Sequence, residues 1–329
     1  MNDWKQTQFG KEYDAFRQEL DDYYAAYPTD VSALEQELDE KSRLQPQAGA
    51  MEKKTWIYEL AAEKCRVKLF RHCPFYFEVD TGAPRNLAGS CFPPIPGLGS
   101  WLMRRDTSGL EQEFQNWIAP YVQEDALNST MYVDCAHHAM GVGNVLRYGL
   151  RGLQRQAQAR LQTEKDVEKQ TFLRCVIRAE DAVMRLCARF ADEAERLCGT
   201  ERDPVVQARL ARIAISARRC PAEPAETFFE ALNTMLLLKE LGNGLESMGF
   251  AILGHVDRVL APYYARDVQL GRLTAAQAQE LVYWFCAMTD AKWDLSQALY
   301  GTNTAMSIGG CDENGTPVFN DITRWVLQC

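Results

Sequence analysis

The sequence predicts a helix-dominated α/β fold in which a few isolated strands each enter or leave a helix. Over most of the chain, apolar residues recur at three- and four-residue steps, which is typical of amphipathic helices. Short strand-like runs, such as 303–309, are followed by glycine-containing turns and then by residues suited to cap a new helix. No internal repeat, low-complexity tract or flexible linker interrupts this pattern.

Residues 1–64 are predicted to form a helical N-terminal extension. Tyr13, Phe16 and Leu20 lie on one face of a first helix, and Asp30 is placed to cap a second. A third helix is expected over 53–68. The following segment, 73–101, is rich in proline and glycine around the strand-like run 75–79, and a loop of this length predicts a functional role or a lid.

The middle of the chain predicts a strand near 132–133, then a glycine-rich turn and a helix from Asn144. Strong helical periodicity runs from 154 to 197, and a shorter helix ends near Arg219. Thr227 and Glu230 have the spacing of a capping box for the next helix. A glycine-rich break is expected at 242–249, followed by an apolar run at 250–253.

The last segment predicts a helix from Val256, a second helix capped by Thr274, a strand at 303–309 and a turn at 312–315. Asn320 and the residue after it are suited to cap a further helix. This helix reaches Cys329 with no C-terminal cap after it, which predicts that the chain is part of a longer protein.

Composition limits the possible functions. The 329 residues are 47% apolar and 25% charged, which suits a globular protein of one large or two ordinary domains. The net charge of −9 argues against nucleic-acid binding, and no apolar run is long enough to cross a membrane. The polar N-terminus predicts a cytoplasmic location. Eleven cysteines without CxxC or zinc spacing predict free thiols, and Cys175, Cys187 and Cys286 fall on apolar helix faces.

Several segments, in the same order along the chain, resemble the pyruvate formate-lyase family of glycyl radical enzymes. They are CPAEPAETFFEAL at 220–232, GHVDRVLAPYYARDVQLGRLTAAQAQEL at 254–281, the polar and glycine positions of 303–323, and HHAMGVGNVLRYGLRGL at 137–153. The resemblance covers roughly residues 65–329, the predicted first part of the barrel with its surrounding helices. Ile252, His255 and Arg258 depart from the family pattern.

The resemblance implies the N-terminal half of a ten-stranded α/β barrel. It also implies a glycyl radical, installed by a separate S-adenosylmethionine iron–sulfur activase, and a cysteine that passes the radical to a small polar substrate. No run resembling the family's radical-glycine or cysteine loops occurs here, so catalytic residues are expected downstream of Cys329. This segment is expected to bind no cofactor or metal, and the full-length protein is expected to form a homodimer.

Five residues are candidates for substrate contact. The resemblance places His137 where relatives hold a substrate hydroxyl, and its neighbour His138 would point the opposite way on an extended segment. Asn303 and Ser307 lie on a strand that faces the barrel interior in the family. Arg85 has the chemistry to bind an anionic group bidentately. For each of them a purely structural role remains an alternative.

The leading hypothesis is therefore a glycyl radical enzyme that cleaves a C–C, C–O or C–N bond of a small polar metabolite, with this segment as cavity wall. One alternative is a split enzyme whose second polypeptide supplies the cysteine and glycine loops. Another is a non-catalytic helical binding or scaffold protein that retains part of the fold. Asp257 is expected to cap its helix or to pair with Arg258.

Overall fold

The computed structural model describes most of the chain. The described residues are 8–26, 30–83, 97–102, 104–105, 116, 120–121, 138–246, 251–292 and 304–329. Ten α-helices lie within them: α1 (Gln8–Ala26), α2 (Ser32–Leu44), α3 (Ala50–Lys64), α4 (Val142–Thr163), α5 (Val167–Cys198), α6 (Pro204–Arg219), α7 (Phe228–Glu246), α8 (Val256–Gln269), α9 (Ala275–Thr289) and α10 (Asp321–Gln328). The strands are β1 (Val67–Lys68), β2 (Glu78–Val79), β3 (His138–Ala139), β4 (Ala251–His255) and β5 (Thr304–Ser307).

Three of the predicted helix starts are confirmed by hydrogen bonds that satisfy the first backbone N–H groups. The Thr227 hydroxyl accepts from the Glu230 amide at 3.1 Å, and the Glu230 carboxylate accepts from the Thr227 amide at 3.0 Å. Thr274 and Asn320 form the same reciprocal arrangement at the starts of α9 and α10. These caps fix where the helices around the sheet begin.

The core is centred on α7, whose residues are almost all buried. This helix contacts β4, α8 and α9, while α5 packs against α3, α4 and α6 on another side. Aromatic rings join the N-terminal helices to this core: Phe16 of α1 lies 5.5 Å from the ring of Phe70 and 6.0 Å from that of Trp284. A single hydrophobic cluster therefore includes residues from α1 through α10.

Two predicted boundaries are wrong because contacts distant in sequence override local pattern. The third helix ends at Lys64 rather than at residue 68, since Val67 and Lys68 pair antiparallel with β2. Helix α7 continues to Glu246 through the expected glycine-rich break. Its Gly244 packs so closely on Thr81 that an added Cβ would lie 2.8 Å from the threonine hydroxyl oxygen. The glycine here permits close packing rather than ending the helix.

Helix α4 is kinked where it crosses the segment that leads into α7. Gly149 has φ +64° and ψ 164°, so the backbone leaves the helical conformation at this residue. The next two amides donate to the carbonyls of Pro221 and Ala222 at 2.8 and 3.0 Å. A Cβ at Gly149 would lie 2.5 Å from the Ala222 oxygen, so both the conformation and the space require glycine.

The main sheet is parallel, with strand order β3-β4-β5. The predicted strands at 250–253 and 303–309 lie side by side, as expected, at β4 and β5. The predicted strand at 132–133 falls outside the described residues, and the described strand that pairs with β4 is β3. No helix within the described part of the chain has the length and apolar character needed to span a bilayer.

Candidate functional site

The two faces of the parallel sheet differ in what covers them. Ala251 is fully buried and is in register with Thr304, which is 8% exposed, on the face that packs towards α7. Residues one step along the strands point to the opposite face. Across that second face Ala139, Ile252 and Ala305 are in register, and all three retain solvent exposure. We call this row of small and apolar side chains the open sheet face.

Two polar side chains lie together where the strands end. Gly254, with φ +72°, interrupts the regular pairing of β4 with β5, and pairing resumes with His255 opposite Ser307. Both residues are exposed. An imidazole and a hydroxyl at neighbouring strand ends can each donate or accept a hydrogen bond, so this end of the sheet can orient a small polar ligand.

The turn after β5 is fixed by a buried carboxylate. Asp257 is fully buried, and its Oδ2 accepts from the Gly309 amide at 2.6 Å and from the Thr323 hydroxyl at 2.8 Å. Arg258 donates to the Gly309 carbonyl at 2.7 Å, and Asn320 donates to the Asp257 carbonyl at 3.1 Å. The expectation that Asp257 pairs with Arg258 or caps its helix is therefore wrong. Instead, Asp257 ties the exit of β5 to the start of α10.

A buried ionic cluster lies at the opposite, amino-terminal end of β5. It consists of Glu78, Lys239, Glu240 and Lys292, and the carbonyl of Thr289 accepts both from Lys239 and from the hydroxyl of Thr304. Lys292 Nζ lies 2.7 Å from Glu78 Oε2 and 3.0 Å from Glu240 Oε2. The cluster fixes the end of α9 relative to α7 and β2.

The charges in this cluster decide the pKa values of its members. Burial alone would raise the pKa of Glu240, but the charges of Lys239 and Lys292 outweigh it and lower this pKa to about 2. For Glu78 burial outweighs the attraction of Lys292, so its pKa is raised. Burial acts to lower the pKa of Lys292, yet the two carboxylates raise it well above its usual value. The cluster is a structural ion-pair network inside the core.

The family model described as pyruvate formate lyase-like matches residues 101–329, which is more than half of the chain. The chain belongs to the pyruvate formate lyase-like family of glycyl radical enzymes.

Relatives of this pyruvate formate lyase-like chain include lyases and dehydratases. Isethionate sulfite-lyase of Desulfovibrio desulfuricans is 28% identical over 202 residues, which is 56% of this chain and 24% of that protein. (2S)-3-sulfopropanediol dehydratase of Klebsiella oxytoca is 25% identical over 211 residues, covering 60% of this chain and 25% of that protein. The aligned part therefore spans about a quarter of the length of these relatives.

Solved structures show the same fold. A solved structure for 1,2-propanediol dehydration in Roseburia inulinivorans has a TM-score of 0.73 at 18% identity, covering 96% of this chain and 43% of that one. A glycyl radical enzyme from Archaeoglobus fulgidus has a TM-score of 0.68 at 20% identity, covering 98% and 46%. These matches confirm the predicted fold class, a helix-dominated α/β portion of a pyruvate formate-lyase-type barrel.

The predicted substrate contacts of this family member are only partly described. His137, Asn303 and Arg85 lie outside the described residues, so their roles stay predictions. His138 is placed by its backbone in β3, in register with Ala251. Ser307 lies exposed at the end of β5. Its neighbour His255 was not predicted as a site residue, because the irregular pairing at Gly254 that brings the two together depends on a strand more than forty residues away in sequence.

The described cysteines are free thiols, as predicted. Burial raises the pKa of Cys65, Cys73 and Cys220 to about 12. Cys187 is buried with a raised pKa, and Cys175 is buried. A thiol with so high a pKa is protonated at neutral pH and does not supply a thiolate nucleophile. Among the described residues, no group of three or more histidine, cysteine, aspartate or glutamate side chains is placed to hold a metal ion.

Proposed function

We propose that this chain forms one wall of the substrate cavity in a glycyl radical lyase or dehydratase that acts on a small hydroxylated metabolite. The observation that carries the proposal is the open sheet face, where Ala139, Ile252 and Ala305 leave one side of a parallel sheet uncovered by the described elements. Small side chains in this row leave room for a ligand close to the backbone. The names of the curated relatives, which include sulfopropanediol and hydroxyproline dehydratases, support a hydroxylated substrate.

In this proposal the described residues bind and orient, and other polypeptide supplies the radical. Ser307 and His255 contact the substrate at the strand ends, together with His137, His138, Asn303 and Arg85. The radical glycine and the cysteine that passes the radical to substrate belong to polypeptide outside residues 1–329. A separate iron–sulfur activase that uses S-adenosylmethionine installs the glycyl radical. The working enzyme is a cytoplasmic homodimer.

Anoxic reconstitution tests this proposal. The complete reading frame is expressed with its activase, the glycyl radical is measured by electron paramagnetic resonance, and bond cleavage is measured on a panel of small sulfonates, diols and hydroxylated amino acids. We expect a glycyl radical and turnover of at least one panel member. A radical that forms only after a second polypeptide is added would establish the split enzyme. Absence of a radical in the complete protein with an active activase would contradict the proposal and favour a binding or scaffold role.

Substitution of Ser307 separates cavity contact from radical formation. The variant Ser307→Ala should lower kcat/KM roughly tenfold, the effect of one lost hydrogen bond to substrate, while the radical yield stays unchanged. Ser32→Ala is the matched control, because Ser32 is an exposed serine in α2. Equal kcat/KM for the two variants would remove Ser307 from the site.

A further inference from the structure

A polar cavity separate from the parallel sheet lies between α1, α6 and α9. Its volume is about 270 Å³, and none of the sheet residues line it. Trp284, Leu281 and Pro74 supply apolar wall. The charged lining side chains are Glu12, Arg209, Arg212, Arg272 and Glu280. The cavity therefore combines an apolar surface with several charges of both signs.

Most of these charges are already compensated. Arg209 donates to Glu12 at 2.5 Å and to the carbonyl of Arg71 at 2.7 Å. Arg272 lies 3.5 Å from Asp267. Each of these guanidinium groups has a carboxylate partner beside it. The other two charged side chains of the cavity, Arg212 and Glu280, attract each other electrostatically, but among the described residues neither has an ion-pair partner within 4.0 Å.

Arg212 is an exposed residue that lines the cavity. The guanidinium carbon of Arg212 lies 4.4 Å from the centre of the Phe229 ring, which restricts the orientation of the group. In the described part of the chain it makes no hydrogen bond and no ion pair within 4.0 Å. Burial of part of the side chain and the charge of Arg209 lower the pKa of Arg212, against the opposing attraction of Glu280, although the residue as a whole is exposed to solvent.

Glu280 is the matching negative group. It is half-buried in the cavity wall, and across the described residues its carboxylate also has neither a hydrogen bond nor an ion pair within 4.0 Å. Burial and the nearby charge of Glu12 raise its pKa, against the opposing attraction of Arg209 and Arg212. A cation bound near Glu280 would stabilise its ionised carboxylate, and an anion bound near Arg212 would stabilise the guanidinium charge.

We propose that this cavity binds a small zwitterion of the α-amino acid type with an apolar side chain. The ligand carboxylate pairs with Arg212, the ligand ammonium pairs with Glu280, and the side chain packs on Trp284 and Leu281. A multiply charged anion such as phosphate fits less well, because Glu280 repels it and Glu12 already neutralises Arg209. The cavity volume admits a ligand of this size.

Isothermal titration calorimetry on the full-length protein tests the assignment with three probes of one shape. L-leucine carries both charges, 4-methylpentanoate lacks the ammonium and 3-methylbutan-1-amine lacks the carboxylate. We expect L-leucine to bind at least tenfold more tightly than either analogue, since each loses one charge-assisted contact. Intrinsic tryptophan fluorescence, to which Trp284 of the cavity wall contributes, provides a second signal.

Two variants test the roles of the charges. Arg212→Gln should weaken L-leucine binding at least tenfold and leave the amine analogue unaffected, whereas Glu280→Gln should weaken L-leucine and leave the carboxylate analogue unaffected. Arg218→Gln is the control, because Arg218 lies on the same helix in exposed ion pairs with Asp192 and Glu195. Circular dichroism melting confirms that each variant is folded.

Binding of L-leucine that is unchanged by Arg212→Gln would overturn the assignment. So would the absence of binding by L-leucine, L-methionine and L-phenylalanine to the folded wild-type protein. Neither outcome depends on the glycyl radical, so this site and the proposed catalytic function can fail separately.

Discussion

Replacing Lys292 by methionine removes one of two cations from the buried ionic cluster. Lys292 contacts Glu78 and Glu240, whose side chains are 4% and 2% exposed. Within the described residues, Lys292 is the partner that compensates the Oε2 atom of each carboxylate. In the variant, Glu240 keeps Lys239 at 2.8 Å, whereas the contact left to Glu78 among the described residues is the hydroxyl of Tyr24 at 3.2 Å.

We expect Lys292→Met to lower the free energy of unfolding by about 3–5 kcal/mol, the cost of leaving a buried charge without its partner. The measurement is equilibrium urea denaturation at pH 7.5, with the m-value checked for constancy. The matched control is Lys64→Met. Lys64 pairs with Glu37 at the surface, where the side chains are 37% and 46% exposed, so this variant should lose much less stability than Lys292→Met.

A second substitution identifies the cause. If the cost comes from the uncompensated Glu78 carboxylate, the double variant Lys292→Met/Glu78→Gln should be more stable than Lys292→Met alone. Lowering the pH towards 5 should also reduce the difference in free energy of unfolding between Lys292→Met and wild type. The pKa of the buried Glu78 carboxyl is raised, so protonation removes its uncompensated charge. A loss below 1 kcal/mol for Lys292→Met, or no recovery in the double variant, would refute this reasoning.

Three further predictions concern substitutions at single residues. Burial raises the pKa of Glu180 from 4.5 to about 7, so the contribution of this carboxyl group to stability is full below pH 4.5 and is lost as the pH rises through 7. Urea titrations should therefore show that Glu180→Gln stabilises the protein by about 1–2 kcal/mol at pH 8, after allowance for partial exposure, and has little effect at pH 4. Gly149→Ala should cost more than about 2 kcal/mol, whereas Gly143→Ala, where an added Cβ meets nothing within 4 Å, should be neutral or stabilising in thermal melts. Asp257→Asn should cost about 1–3 kcal/mol and increase hydrogen exchange at the Gly309 amide; protection equal to wild type would show that Asp257 does not hold the turn.

The sequence predicted best what depends on neighbouring residues. The caps at Thr227, Thr274 and Asn320 follow from hydrogen bonds between residues three apart, and all three are confirmed. The predicted end of α3 was wrong because β1, which follows it, forms through pairing with β2. The continuity of α7 was missed because Gly244 is explained by Thr81, which lies far away in the chain.

In the candidate site, too, local sequence predicted some features, while others depend on contacts between residues distant in the chain. The resemblance indicated that Ser307 lies on a strand of the barrel, and the structure places it at the end of β5. The pairing of Ser307 with His255 and the ion pairs of Lys292 with Glu78 and Glu240 required the three-dimensional structure. The one sequence signal for the buried cluster was the pair Lys239-Glu240 inside the apolar helix segment LLLKEL. Its partners come from β2 and from the residues after α9, so local pattern could not identify them.

The connection between β3 and β4 has a consequence for how the chain folds. His138 pairs with Ala251 only after α4, α5, α6 and α7 have been traversed, and β5 joins after two more helices. Contacts of such high sequence separation form late, because closing the intervening loop costs entropy before the pairing stabilises it. During synthesis the helical layer around α5 can therefore assemble first, and the sheet is completed when the ribosome has released the residues of β5.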